Sequence, residues 1–255
     1  MTDLSKLAER LDDAARSATA IAQLSASETV SVDDAYEIQR LSIDRRIARG
    51  EKLVGLKLGF TSKAKMIQMG VDDMIWGRLT DQMTIEQDGT IDLASYVHPR
   101  VEPEIAFLIR SPLRGEVTLD EAQAAVESVA PAMELIDSRY EAFKFNLADV
   151  VADNCSSSGY VIGAWQQADV DLQNLGMQLA FDGETVQQGS SAAILGNPLE
   201  SLVNAARLAD SAGFGLEPGW ILLAGAATAA EALRPGVHAR TVVEDLGSAE
   251  FAVGA

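Results

Sequence analysis

Apolar and polar positions at the start of the chain follow a helical period. Leu4, Leu7, Leu11, Ala14 and Ala15 recur at steps of three and four, the stripe of an amphipathic helix. A second helix is expected from Ser31, where Ser31-Val32-Asp33-Asp34 resembles a capping box, to about Gly50. The pattern then changes in EKLVGLKLGFTS (51–62), where apolar residues alternate around Lys57. That alternation predicts a strand, followed by a short helix over Lys63 to Met69. From about residue 80, strand and turn signals dominate. Gln87-Asp88-Gly89 and Asp182-Gly183 are turn sequences, the second predicting a hairpin between MQLAF and ETVQQG. One helix is expected from the Thr118–Glu121 capping box to about Val129. Another should start at Asn197-Pro198 and stop before Gly213. GWILLAG (219–225) and HARTVVED (238–245) read as late strands. The pattern describes an α+β protein: a small helical N-terminal lobe with the first core strand over 1–78, and a β-rich domain over 79–255. It lacks the regular strand–helix alternation of a doubly wound sheet.

Composition narrows the classes. With 47% apolar residues, 255 residues can bury a sizeable core. No apolar run reaches the roughly 20 residues that a membrane span needs. The formal charge of −18 repels phosphate backbones and anionic lipid, so neither nucleic acid nor membrane is an expected partner. Met1-Thr2-Asp3-Leu4 carries no basic region followed by an apolar stretch, and Cys155 has no second cysteine to pair with. A cytoplasmic setting is the expectation. No G-x-G-x-x-G, G-x-x-x-x-G-K-[ST] or G-x-S-x-G run occurs, which removes the dinucleotide, P-loop and nucleophile-elbow readings.

The chemistry concentrates in acids that sit among apolar residues. In VEPEIAF (101–107), Glu102 and Glu104 would project from the same face of a strand, roughly 7 Å apart at their backbones. Glu134 follows within APAMELID, again between apolar neighbours. Three converging carboxylates call for a cation, and an oxygen-only set suits Mg2+ or Mn2+. The alternative is a solvated edge strand, which Pro103 would favour. Lys57, flanked by Leu56 and Leu58, is either a buried base whose pKa falls or a lysine whose head reaches water. Asp153, Asn154 and Ser156 to Ser158 either line a pocket or form an ordinary polar turn.

LVGLKLGFTSKAKMIQMGVDDMIWG, HPRVEPEIAFLI, AMELIDSRYEAFKFNLADVVADNCSSSGYVIG and ILLAGAATAAEALRPGVHARTVVEDLGSAEF together resemble the hydratase/decarboxylase branch of the fumarylacetoacetate hydrolase superfamily. The resemblance covers roughly residues 35 to 253. It implies a mixed β-roll core, Glu102, Glu104 and Glu134 as ligands of Mg2+ or Mn2+, and Lys57 facing an oxo-diacid substrate. It also implies a pocket role for Ser156 and an acid near the site at Asp81, which would orient Lys57 or a water. Arg139 would hold a substrate carboxylate or form a structural ion pair. SRYEAFKFNLADVVADN and the Thr-Ala-Ala element at Thr228, a substrate contact on this resemblance, favour decarboxylation of 2-oxohex-3-enedioate over its sister activity, hydration of 2-hydroxypenta-2,4-dienoate. A homo-oligomer and a complex with the sister hydratase are the implied assemblies. Cys155 stands where relatives more usually carry alanine.

Overall fold

Leu7, Ala8, Leu11 and Ala14 bury one face of α1 (Leu4–Arg16), so the leading stripe becomes the inner side of a helix. α2 (Val32–Ala48) begins at the expected capping box. Ser31 Oγ accepts from the Asp34 amide, and the Asp34 carboxylate accepts from the Ser31 amide. Both helices pack on Tyr140, Val150 and Val151. The computed structural model describes residues 3–62, 66–67 and 73–255. The short helix expected over 63–69 lies largely outside them.

The main sheet takes its strands in the order β2 (Ile75–Thr80), β1 (Leu53–Gly59), β10 (Ile221–Leu223), β4 (Arg100–Ile109), β5 (Val126–Ile136) and β6 (Ser157–Ile162). β7 (Gln166–Gln167) adds beside β5, and β11 (Glu231–Ala232) beside β4. β1 and β10 run parallel, while β4 and β5 pair antiparallel along their whole length. A second sheet orders β3 (Thr90–Ile91), β13 (Gly247–Val253), β12 (His238–Val243), β8 (Gly176–Phe181) and β9 (Glu184–Ser190). The β8–β9 hairpin turns at Asp182-Gly183, both with positive φ, as a two-residue turn requires. Val101, Met133, Leu135 and Val161 of the first sheet meet Leu179, Phe181, Ala239 and Phe251 of the second. Each large side chain fully buried there contributes roughly 1.5–3 kcal/mol.

Three expectations need correction. The helix after Thr118 stops early: α3 spans Leu119–Ala124, and Val126 already opens β5. Val126 and Val129 are β-branched and buried, and pairing with β4 outweighs continuation of the helix. A further short helix, α4 (Leu147–Ala152), carries an Asn146–Asp149 capping box that the pattern did not reveal. Pro103 does not mark an edge, because β4 is an interior strand. Its carbonyl accepts from the Ala227 amide in the gap between β10 and β11. The proline nitrogen faces that same gap, so no ladder bond is lost. The helix expected after Pro198 forms as α5 (Leu199–Ser211), and Gly213 terminates it at φ +88°.

β2 is an edge strand, and its outer side is capped by side chains rather than by another strand. Gln39 Nε2 and Cys155 Sγ both donate to the Trp76 carbonyl, at 3.1 Å each. The Asn154 side-chain amide closes a two-way pair with the Arg78 backbone, accepting from N–H at 2.8 Å and donating to C=O at 2.9 Å. This demands close approach: a Cβ on Gly77 would lie 2.6 Å from the Asn154 carbonyl oxygen. Asn154, Cys155 and Ser156 all adopt left-handed φ, at 49°, 51° and 61°. Such a run costs about 1–2 kcal/mol per residue and persists only because both ends are fixed. Asn154→Ala strands two buried backbone groups and should lower stability by about 2–4 kcal/mol in urea unfolding. A loss below about 0.5 kcal/mol would show that this clamp does not hold the edge.

Candidate metal centre and active site

Alternation along β4 separates core from chemistry. Val101, Ile105, Phe107 and Ile109 enter the two main cores on one face, leaving Glu102, Glu104 and Ala106 on the other. β5 places Glu134 directly across from Glu102. The nearest oxygens of Glu102, Glu104 and Glu134 all lie within 4.8 Å of one another. Glu104 and Glu134 are fully buried, at 0% exposure. The same sheet face carries an apolar cluster: Ala132 lies opposite Glu104, Tyr160 opposite Glu134 and Leu223 opposite Lys57, packed with Ile43, Leu79 and Met83.

Lys57 comes to the same place from β1 and donates from Nζ to Glu134 Oε2 at 2.8 Å. Burial by itself would lower its pKa, but the fields of Glu134 and then Glu102 outweigh that and hold it above the ordinary lysine value. In the field of these carboxylates alone the expectation of a lowered pKa is not met, and Lys57 pairs as an ammonium with Glu134. If all three carboxylates ionise, one ammonium leaves two negative charges unbalanced among mostly buried groups. Burial, and then Glu134 and Glu102, push the Glu104 carboxyl well above the usual carboxylate range. Buried like charges at this spacing repel strongly unless a cation offsets them.

The hydrogen bonding supports a cation in the same place. Glu104 Oε2 accepts from the Gly225 amide at 2.7 Å, and Glu134 Oε2 is held by Lys57. The other oxygen of each, Oε1, is buried without a hydrogen-bond partner. Among the described residues only Ser156 Oγ and Ser157 Oγ share that condition. Buried carboxylate oxygens without a hydrogen-bond partner, on glutamates that converge, suit a hard divalent ion, and the donor set holds no histidine or thiol that would suit zinc.

The other expected residues are placed differently. Ser156 is buried on the left-handed turn before β6, and Ser157 pairs with Ile136, two residues from Glu134. Asp81 does not reach Lys57. Its carboxylate accepts from the Lys52 amide at 2.9 Å, beyond the opposite end of β1. Arg139 commits its guanidinium to Asp153 Oδ1 at 2.5 Å, to the Asp153 carbonyl and to Ser158 Oγ. Asp137, its neighbour in sequence, instead accepts the Val97 and His98 amides. Burial raises the Asp153 carboxyl to about 6 against the pull of Arg139. Thr228 Oγ1 donates to the Ala229 carbonyl and makes no hydrogen bond to the carboxylates. Cys155 is buried, and burial pushes its thiol up to about 12.

A cavity of about 220 Å³ opens elsewhere, between α1, α2 and the start of β6, where Arg139, Asp153 and Ser157 form part of its wall. It touches none of the three glutamates or Lys57. Its arginines already pair with acids, Arg49 with Asp12, Arg46 with Glu51 and Arg139 with Asp153. The unsatisfied chemistry lies with the glutamates. Two features there escape a reading of the sequence: the Gly225 amide on Glu104, and the clamp of Asn154 and Cys155 on β2. Both act through backbone groups, and no residue type announces them.

Residues 54–254 match the family described as fumarylacetoacetate (FAA) hydrolase C-terminal. The chain is 60% identical over 248 residues to a 4-oxalocrotonate decarboxylase of a Pseudomonas species, covering 97% of each. It is 38% identical to a 2-keto-4-pentenoate hydratase of Paraburkholderia xenovorans (strain LB400), over 86% of this chain and 82% of that one. Among solved structures, the 4-oxalocrotonate decarboxylase from Pseudomonas putida G7 complexed with magnesium and adipate superimposes with a TM-score of 0.95. That match has 37% identity and covers 98% of this chain and 97% of the other. No helix among the described residues is long and apolar enough to cross a membrane. The two mixed sheets and the glutamates of β4 and β5 all fall largely within the matched region, and the chain belongs to the fumarylacetoacetate hydrolase family, with its α+β fold.

Proposed function

We propose that this chain is a carboxy-lyase that converts 2-oxohex-3-enedioate (4-oxalocrotonate) to 2-hydroxypenta-2,4-dienoate and CO2 within aromatic meta-cleavage catabolism, using Mg2+ or Mn2+. The observation that carries the proposal is the convergence of Glu102, Glu104 and Glu134 beside Lys57, which when fully ionised would leave two negative charges for a divalent ion to balance. The 60% identity to a decarboxylase, against 38% to a hydratase, favours this branch activity. Adipate, bound in the Pseudomonas putida G7 structure, is a six-carbon diacid of the same length as the substrate.

Glu102, Glu104 and Glu134 would hold the ion, which supplies Lewis acidity to the substrate's C1 carboxylate and C2 carbonyl oxygens. The C5–C6 bond breaks and C6 leaves as CO2. Its electron pair forms C4=C5, the old C3=C4 pair moves to C2=C3, and negative charge develops on the C2 oxygen. Lys57 Nζ, held by Glu134 Oε2 at 2.8 Å, would donate a hydrogen bond to that oxygen and then its proton, which gives 2-hydroxypenta-2,4-dienoate, and would regain a proton from solvent. The Ser156 hydroxyl, buried and unpartnered, is available to a substrate oxygen. Leu79, Met83, Ala132 and Leu223 form one apolar cluster, and a departing carboxylate set against it would stay unpaired, which favours its loss. A homo-oligomer and a complex with a sister hydratase, which would take over the unstable dienol, belong to the same proposal.

The direct assay supplies metal-stripped protein with Mg2+ or Mn2+ and 2-oxohex-3-enedioate. Metal-dependent CO2 release is expected. Water addition to 2-hydroxypenta-2,4-dienoate without CO2 release would assign the hydratase activity instead. Glu104→Gln should keep the circular dichroism spectrum and weaken metal binding by at least about 10-fold; unchanged affinity in calorimetry would remove it from the ligand set. Lys57→Ala should still bind metal while kcat falls by about 100- to 1,000-fold. An unchanged rate would take the ammonium out of the reaction.

A further inference from the structure

Ser156 is carried by a strained turn. Asn154, Cys155 and Ser156 hold left-handed φ in succession, a state that such residues keep only where their surroundings over-determine it. One side chain spans both ends of that turn. At the first end, Arg139 Nε donates to Asp153 Oδ1 and Nη2 to the Asp153 carbonyl, each at 2.5 Å. At the other, Nη1 donates to Ser158 Oγ. The Arg139 amide adds a bond to Asp153 Oδ2 at 2.9 Å, and both residues are buried. These anchors reach Ser156 through its backbone. Its N–H donates to the same Asp153 carbonyl at 2.8 Å, and its C=O accepts from Ser158 Oγ at 3.3 Å and from the Asp137 amide at 2.7 Å. Asp137 directly follows β5, the strand that bears Glu134. The backbone of Ser156 is thus fully tied down, while its own Oγ is buried without a partner.

A bare buried hydroxyl needs a cause. Serine side chains in turns readily bond nearby backbone groups. A turn free to leave the left-handed region would offer Ser156 Oγ such a partner and withdraw it from substrate. We infer that Arg139 is a positioning residue: its guanidinium staples Asp153 to Ser158, keeps the turn between them in its strained form, and so acts on the reaction through the Ser156 hydroxyl. With Nε, Nη1 and Nη2 all committed, the planar fork of arginine makes three bonds in three directions that a lysine ammonium on a flexible stem does not reproduce. The inference rests on the substrate contact proposed for Ser156 and adds the group that holds that contact in place.

A double-mutant cycle on the Mg2+-loaded enzyme with 2-oxohex-3-enedioate tests it. Arg139→Lys keeps a positive charge beside Asp153 but loses the staple, and kcat/KM should fall by about 10- to 100-fold. In a Ser156→Ala background the same change should cost less than about 2-fold, because no hydroxyl is left to position. An equal penalty in both backgrounds overturns the inference, since a merely structural loss multiplies with that of Ser156→Ala. Ser156→Ala with the wild-type rate overturns it too. Ser158→Ala, which leaves the Arg139–Asp153 pair intact, takes the place of Arg139→Lys in the cycle if that variant does not fold. Hydrogen exchange reads the staple without any turnover. The Ser156 amide, protected in wild type by the Asp153 carbonyl, should exchange at least about 10-fold faster in Arg139→Lys or Ser158→Ala. Unchanged protection overturns the staple whatever the activity. Wild-type protein that releases no CO2 defeats the proposed reaction, and amide exchange then decides what Arg139 holds.

Discussion

Repulsion among three carboxylates in one apolar pocket is the constraint around which this protein is organised. Glu102, Glu104 and Glu134 bring their oxygens within 4.8 Å of one another, and two of the three are fully buried. Like charges directly across an antiparallel pair destabilise a sheet, yet Glu102 faces Glu134 in the longest strand pairing of the fold. Lys57 answers one of the three charges. One divalent ion would balance the remainder, and Oε1 of both Glu104 and Glu134 is buried without a hydrogen-bond partner.

The rest of the architecture holds that arrangement still. β4 and β5 are interior strands whose other face is packed into both main cores, so the backbone that bears the glutamates cannot shift without unpacking Phe107, Met133 and Leu135. Lys57 is fixed by β1, which lies between β10 and the edge strand β2. That edge is closed by Gln39, Asn154 and Cys155, which keeps β2, and so β1 beside it, in register with the strands that bear the acids. The strained turn at Asn154 to Ser156 therefore serves two ends of the site, the lysine strand and the buried serine.

Much of this is legible in the amino-acid sequence, for reasons that can be named. The period of two in VEPEIAF puts both acids on one face, and the apolar neighbours of Glu134 signal burial, so convergence can be foreseen. The capping boxes at Ser31 and Thr118 and the Asp182-Gly183 turn act locally and appear where the pattern puts them. What depends on distant partners is harder to read. Lys57 looks like a base with a lowered pKa until Glu134, 77 residues away, is seen beside it. Pro103 suggests an edge because nothing in the sequence reveals the gap between β10 and β11. Val126 to Val129 continue a helical stripe until the pairing with β4 claims them. Asp81 and Arg139 carry the right chemistry for a site, but each is taken up by nearby protein groups. The Gly225 amide has no side chain to give it away.

The most direct test of the central claim is anomalous scattering from crystals of the protein equilibrated with Mn2+. The account predicts one strong peak per chain, about 2 Å from an oxygen of each of Glu102, Glu104 and Glu134. Fully occupied Mn2+ bound away from these glutamates, with their carboxylates turned apart, would contradict it.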